Sequence, residues 1–423
     1  MTPGPPDSGP AHSDRASTPA APGPADPTST PAVPGPADPG PSPSAPGADD
    51  EPLRVTTLEL FFDLVFAFTL TQLAALLAGN LTLTGTAQVL LIFGLLWWMY
   101  EGYAWLTNAR PPVHTAERLL VLVAMAGFLA IGLAIPNHGF GGSGLALGLG
   151  YLLVVLVHGW LYYRVNRNIL RVVPFNILSA LLVITASLLP GQGQRPAVYA
   201  LWVAALVVQL GSPLIVRPRN LFELRAAHLA ERHGALLLVA LGESVVSIGV
   251  GAEELVGHTR QEDARVAIAA VLGLALAAAL WWIIFAGGDQ EKAEQVLTAA
   301  SSERRTSLAL SALFYANMPL LLGVVAISAG VRVAIGHAET LEAGPARAAV
   351  ALAVGAALFL AGDVMSRRLL RLGPMRLRAG TAVVALATTA IGATVSLEVQ
   401  LAVVTLVLVL MLVLESRSAP VAQ

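Results

Sequence analysis

Beyond residue 52 the chain is a succession of apolar runs separated by short polar turns that often carry arginine. Runs of about 17–25 apolar residues are long enough to cross a bilayer as helices. Twelve such runs predict membrane helices at roughly 58–78, 87–106, 117–135, 145–163, 172–189, 197–215, 229–250, 266–286, 307–328, 347–365, 379–395 and 398–415. The last two are crowded, which keeps eleven as the alternative. The expected fold class is all-α, a polytopic membrane helical bundle of about twelve transmembrane helices.

Residues 1–52 are a different material, holding 16 of the 28 prolines and repeating P-G-P-A-D-P. A segment of that composition buries too little apolar surface to offset its ordering entropy, so a solvated cytoplasmic tail is expected. Its start is neither basic nor followed by a short apolar core, unlike a signal peptide. Lys and Arg then set the orientation. Loops on the N-terminal side carry 17 of them, opposite loops carry 5, and Arg15, Arg54 and Arg417 sit in the tails. Both termini are therefore expected in the cytoplasm, which favours an even helix count.

The two halves echo one another. The first helix opens with Glu59 and the seventh with Glu231; the second carries Trp97-Trp98 and the eighth Trp281-Trp282. The fourth and tenth both end in arginine, at Arg164 and at Arg367-Arg368. These matches predict a six-plus-six duplication, with parallel repeats at 53–228 and 229–416 and a short tail at 417–423. Composition narrows the function. Charged residues are only 12% of the chain and mean hydropathy is +0.69, against about 25% charge in soluble domains. A net charge of −2 offers no basic surface for nucleic acid. With no Cys, disulfides, thiolate metal sites and Cys nucleophiles are excluded.

Charges inside the apolar runs are the candidate chemistry, because ionised groups in hydrocarbon are costly and face protein or water. Glu59 and Asp63 fall about 40° apart on one helix face. They stand in the first turns, where acids favour the helix dipole and Arg54 could pair with them. Glu243 lies deeper, beside Gly242 and Ser244, which would admit a close helix and a local hydrogen bond. It is the candidate coordinating or proton-carrying acid, with Asp63 and Glu59 as an acidic mouth and Ser244, Glu231 and Arg232 completing the ion or solute pathway. Glu101, His158 and Asp363 are secondary candidates, the last two at nearly equivalent repeat positions. His228 and His233 read as a solvated helix start, and the tryptophan pairs as belt or packing residues. H-E-x-x-H, G-x-x-x-x-G-K and nucleophile-elbow motifs are absent. No catalytic residue, cofactor or metal is expected.

E-L-F-F-D-L-V-F-A-F-T-L-T-Q-L at 59–73 and H-L-A-E-R-H-G-A-L-L-L-V-A-L-G-E-S at 228–244 resemble the low temperature requirement protein A family. W-W-I-I-F at 281–285 and a last helix ending at Glu415 extend the likeness over roughly 55–416. The resemblance implies a bacterial multi-pass inner-membrane protein tied to growth in the cold, and it implies no chemistry. Two departures stand out. The family places a His before the proline of the ninth helix, where this chain has Asn317 and Met318 before Pro319. Its acids after the eighth-helix tryptophans are shifted here to G-G-D-Q at 287–290, so these positions stay outside the expected site. The F-x-D-x-V-F-A opening at 61–67 is also similar to the first helix of endolysosomal potassium channels, whose subunits repeat six helices. A transporter or channel for a small solute or ion is the leading expectation. A non-transporting accessory protein of cold or stress adaptation and a membrane enzyme acting on lipid are the rivals. The expected partners are the lipid bilayer and that solute or ion, with homo-oligomerisation left open.

Overall fold

A computed structural model describes residues 54–138, 144–189, 196–216, 224–253, 260–335, 344–373 and 375–418, with the backbone alone for some residues, chiefly late in the seventh helix and early in the eighth. The expected N-terminal tail and most of the C-terminal tail lie outside them. The described residues form helices and no strand. In chain order the helices are α1 (Thr57–Gly79), α2 (Leu83–Ala109), α3 (Thr115–His138), α4 (Gly144–Tyr163), α5 (Val173–Leu188), α6 (Pro196–Val216) and α7 (Ala226–Glu253). Then come α8 (Arg260–Phe285), α9 (Asp289–Ala299), α10 (Ser302–Ala309), α11 (Asn317–Ile335), α12 (Gly344–Leu370), α13 (Arg376–Ala387), α14 (Thr389–Thr394) and α15 (Leu397–Ser418).

Each of the twelve expected runs coincides with one of these helices or with a broken helix. Among the described residues ten spans are long and apolar enough to cross a membrane, and α5 is a shorter apolar helix. Both crowded runs at the C-terminus qualify, as Arg376–Thr394 and Leu397–Arg417. Outward faces carry large apolar side chains such as Leu133, Leu149, Trp160, Val207, Val271, Trp282 and Leu406, all exposed. An exposed apolar surface on that scale suits lipid rather than water.

Local chemistry sets the ends. Thr56 caps α1: its hydroxyl accepts from the Glu59 amide while the Glu59 carboxylate accepts from the Thr56 amide, the reciprocal capping box. Between α8 and α9 the chain reverses at Gly288, whose φ of 63° is cheap only for glycine. Helices α11 and α12 pack through Gly323 and Gly355, where an added Cβ would come within 2.7 Å of the opposing backbone. Small residues at the contact let the two backbones approach that closely. A single π turn, Leu310–Tyr315, joins α10 to α11, with the Ala316 amide donating five residues back to Ser311.

Packing partners run in the same order in the two halves. α1 packs on α3 and α3 on α4, as α7 packs on α11 and α11 on α12. α4 meets α5 as α12 meets α13, and α2 meets α6 as α8 meets α15. Between the halves α1 lies against both α7 and α11.

Candidate functional site

Where α1, α2 and α7 meet, two pairs of side chains at four-residue spacing face each other. Four residues place both members on one helix face: Glu59 and Asp63 on α1, His228 and Arg232 on α7. The Arg232 guanidinium donates to Glu59 Oε1 at 3.1 Å, to Asp63 Oδ1 at 3.3 Å and to the Thr107 hydroxyl of α2. It also lies 5.7 Å over the rings of both Phe62 and Tyr100. His228 Nε2 is 3.2 Å from Glu59 Oε2, and the Tyr100 hydroxyl donates to Asp63 Oδ1 at 2.9 Å. No member of this set is more than 3% exposed. Arg232 is held in place because two carboxylates and two rings compensate its lost hydration.

One residue further along α7, His233 turns to α2. Its Nε2 is 2.7 Å from Glu101 Oε1 and its Nδ1 is 2.7 Å from the Leu229 carbonyl. Glu101 Oε2 accepts from the Trp105 indole at 3.1 Å. Asn108 braces the start of α7, accepting from the Arg225 amide at 3.1 Å and donating to the Arg225 carbonyl at 2.8 Å. Two polar atoms in the network, Asp63 Oδ2 and Arg232 Nε, have no partner among the described residues.

His233 also lines a cleft of about 80 Å³, together with Gly234, Asp289, Asn317, Asp363 and Arg367. That is room for a few waters or one small solute. The cleft exists because α9 folds back against α7, where Gln290 rests on Gly234 with no space for a Cβ. Its far wall is a second ionic cluster. Arg367 donates to Asp363 at 3.2 Å and to Asp289. Arg378 donates to Asp363 at 2.8 Å and grips Glu415 through two nitrogens at 2.9 Å each. Asn317 Nδ2, buried in the cleft wall, has no partner among the described residues.

Measured against the sequence, Glu59, Asp63, Arg232 and Glu101 come together, and several expectations change. Glu59 and Asp63 form no open mouth, being buried and sharing the single cation of Arg232. Arg54 is exposed, so the pairing role expected of it passes to Arg232. His228 and His233, expected to be solvated, are buried at 1% and 2% exposure because α1 and α2 close over the first turns of α7. Glu231 stays exposed and accepts from the Val55 amide at 3.3 Å. His158 sits apart in an aromatic nest with Tyr103 and Tyr162, each ring 5.1 Å away. Asp363 belongs to the ionic cluster, so these two residues have unlike surroundings. The side chains of Glu243 and Ser244 lie outside the described residues. Gly242, expected to admit a close helix, is exposed, and among the described residues a Cβ there would meet nothing within 4 Å.

Sequence reasoning set aside Asp289 and Asn317 for departing from a family pattern, yet both line the cleft. The matched four-residue spacing of acids on α1 and bases on α7 was the signal that could have joined those helices.

An uncharacterized protein of Rhizobium meliloti (strain 1021) is 26% identical over 324 residues, covering 73% of this chain and 76% of that one. Residues 54–413, from just before the Thr56 cap almost to the end of α15, match the bacterial low temperature requirement A proteins. With nearly the whole membrane portion matched, the chain belongs to the bacterial low temperature requirement A family.

Proposed function

We propose that this protein is a transporter for a small solute or ion, built from two parallel six-helix halves that cross the inner membrane twelve times. In this reading both termini are cytoplasmic, and the ionic network closes the cytoplasmic end of a pathway between the halves. The observation that carries it is the buried network at the contact of α1 and α2 with α7, beside a cleft that Asp289, Asn317, Asp363 and Arg367 help to line. Charged side chains inside a bundle mark ion and substrate paths far more often than packing alone would require. The matching order of packing partners in the halves supports the duplication. Glu243 continues the pathway, ten residues beyond His233 on α7 and so roughly 15 Å further along the axis.

The test is flux in liposomes reconstituted with the purified chain, assayed for protons, monovalent cations and small organic solutes. Flux that disappears in Asp63→Asn and in Glu243→Gln, with both variants folded, supports the reading. Absence of flux for every solute tested, with cold growth still rescued by both variants, would overturn it in favour of an accessory role. A changed lipid profile in cells lacking the gene would point instead to lipid chemistry.

A further inference from the structure

Two histidines five residues apart on α7 differ in how many protons their surroundings require. Asn108 is fixed by its two bonds to Arg225, which leaves its Nδ2 facing His228 Nδ1 at 3.3 Å. That nitrogen therefore accepts, and Nε2 donates to Glu59, so a neutral ring satisfies both contacts of His228. At His233 no such assignment works. Nδ1 faces the Leu229 carbonyl, which can only accept, so Nδ1 carries the hydrogen. A neutral ring would then turn the bare lone pair of Nε2 towards Glu101 Oε1 at 2.7 Å, an oxygen that also accepts. The contact needs one more proton, either on the imidazole as an imidazolium–carboxylate pair or on Glu101 as a carboxylic acid donating to the ring.

We infer that the His233–Glu101 pair is a proton-binding site, loaded and emptied through the cleft between α7, α9, α11 and α12. His233 is the residue shared by the pair and the cleft, so solvent in the cleft has a route to the ring. The charged groups around it are Glu101 from α2, Arg232 beside it on α7, and Asp289, Asp363 and Arg367 of α9 and α12 around the cleft. α1 contributes Glu59 and Asp63 through Arg232, while α11 offers the uncharged Asn317. Uptake and release move a single proton between water and the pair, with no other bond made or broken. A proton held here would couple the transport proposed above to the proton gradient; that role rests on the transport reading, but the site does not.

The experiment is a proton-uptake titration of the purified full chain in detergent from about pH 9 to about pH 5, spanning the ordinary range of His. Glu101→Gln supplies an amide hydrogen to Nε2, so it should take up one proton fewer than the parent chain. Nitrogen NMR of histidine-labelled parent protein needs no variant. It should show the His233 resonances moving with pH. Identical uptake curves for the two chains, or His233 resonances fixed across the range, would overturn the site. Uptake without flux in liposomes would retain the site and remove the transport reading.

Discussion

The two buried ionic clusters are built from the same residue types and put to different structural use. The α12–α13–α15 cluster lies within the second half and is saturated. Arg378 spends its donors on Asp363, Glu415 and the Ile283 carbonyl, and Arg367 on Asp363, Asp289 and the Leu372 carbonyl. The α1–α2–α7 network joins the two halves and is not saturated, since Asp63 Oδ2 and Arg232 Nε lack partners among the described residues. A buried charge left partly unsatisfied costs free energy, so such a network is poised for another arrangement in a way that a filled one is not. The difference separates a clamp from a joint.

Substitutions can break that contrast. The largest effect is expected for Arg232→Met, which leaves Glu59 and Asp63 buried without their shared cation and should cost about 3–5 kcal/mol in thermal unfolding in detergent. Adding Glu59→Gln and Asp63→Leu to it should recover most of the loss; no recovery would mean that packing, not charge, holds the joint. Next is Arg378→Met, expected to cost roughly 2–3 kcal/mol in the same assay, because Asp363 keeps Arg367 and Glu415 has partial access to solvent. A cost for Arg378→Met equal to that of Arg232→Met would erase the distinction. Asp63→Asn still accepts from Tyr100 and should cost only about 1–2 kcal/mol. The smallest change is expected from Lys292→Ala, whose half-exposed ammonium lies 3.5 Å from Asp289 and contributes under about 0.5 kcal/mol.

The helices were legible because membrane crossing is a local property: length and hydropathy of one run decide it. Glu59, Asp63 and Arg232 were legible as anomalies, being charges in apolar surroundings. What the chain does not spell out is adjacency. Glu59 and Arg232 are 173 positions apart, and only the packing of α1 on α7 makes them a pair. His228 and His233 were misread for the same reason, since a helix start is solvated unless another helix covers it. Asn317 and Asp289 depended on the fold-back of α9, which Gly288 permits but hydropathy does not announce.

The π turn that joins α10 to α11 has a consequence for tolerance to mutation. The indole of Trp97 donates at 3.2 Å to the backbone carbonyl of Phe314, within that turn. A bond from side chain to main chain is constrained from one side only. Replacing Phe314 leaves the carbonyl where it is and alters only ring contacts, whereas no other side chain at 97 carries an indole N–H. Substitution scanning of the two positions should therefore be lopsided: permissive to apolar residues at 314, narrow at 97. The tie between α2 and the turn before α11 thus survives sequence drift in one partner, and its cost of change is concentrated in a single tryptophan.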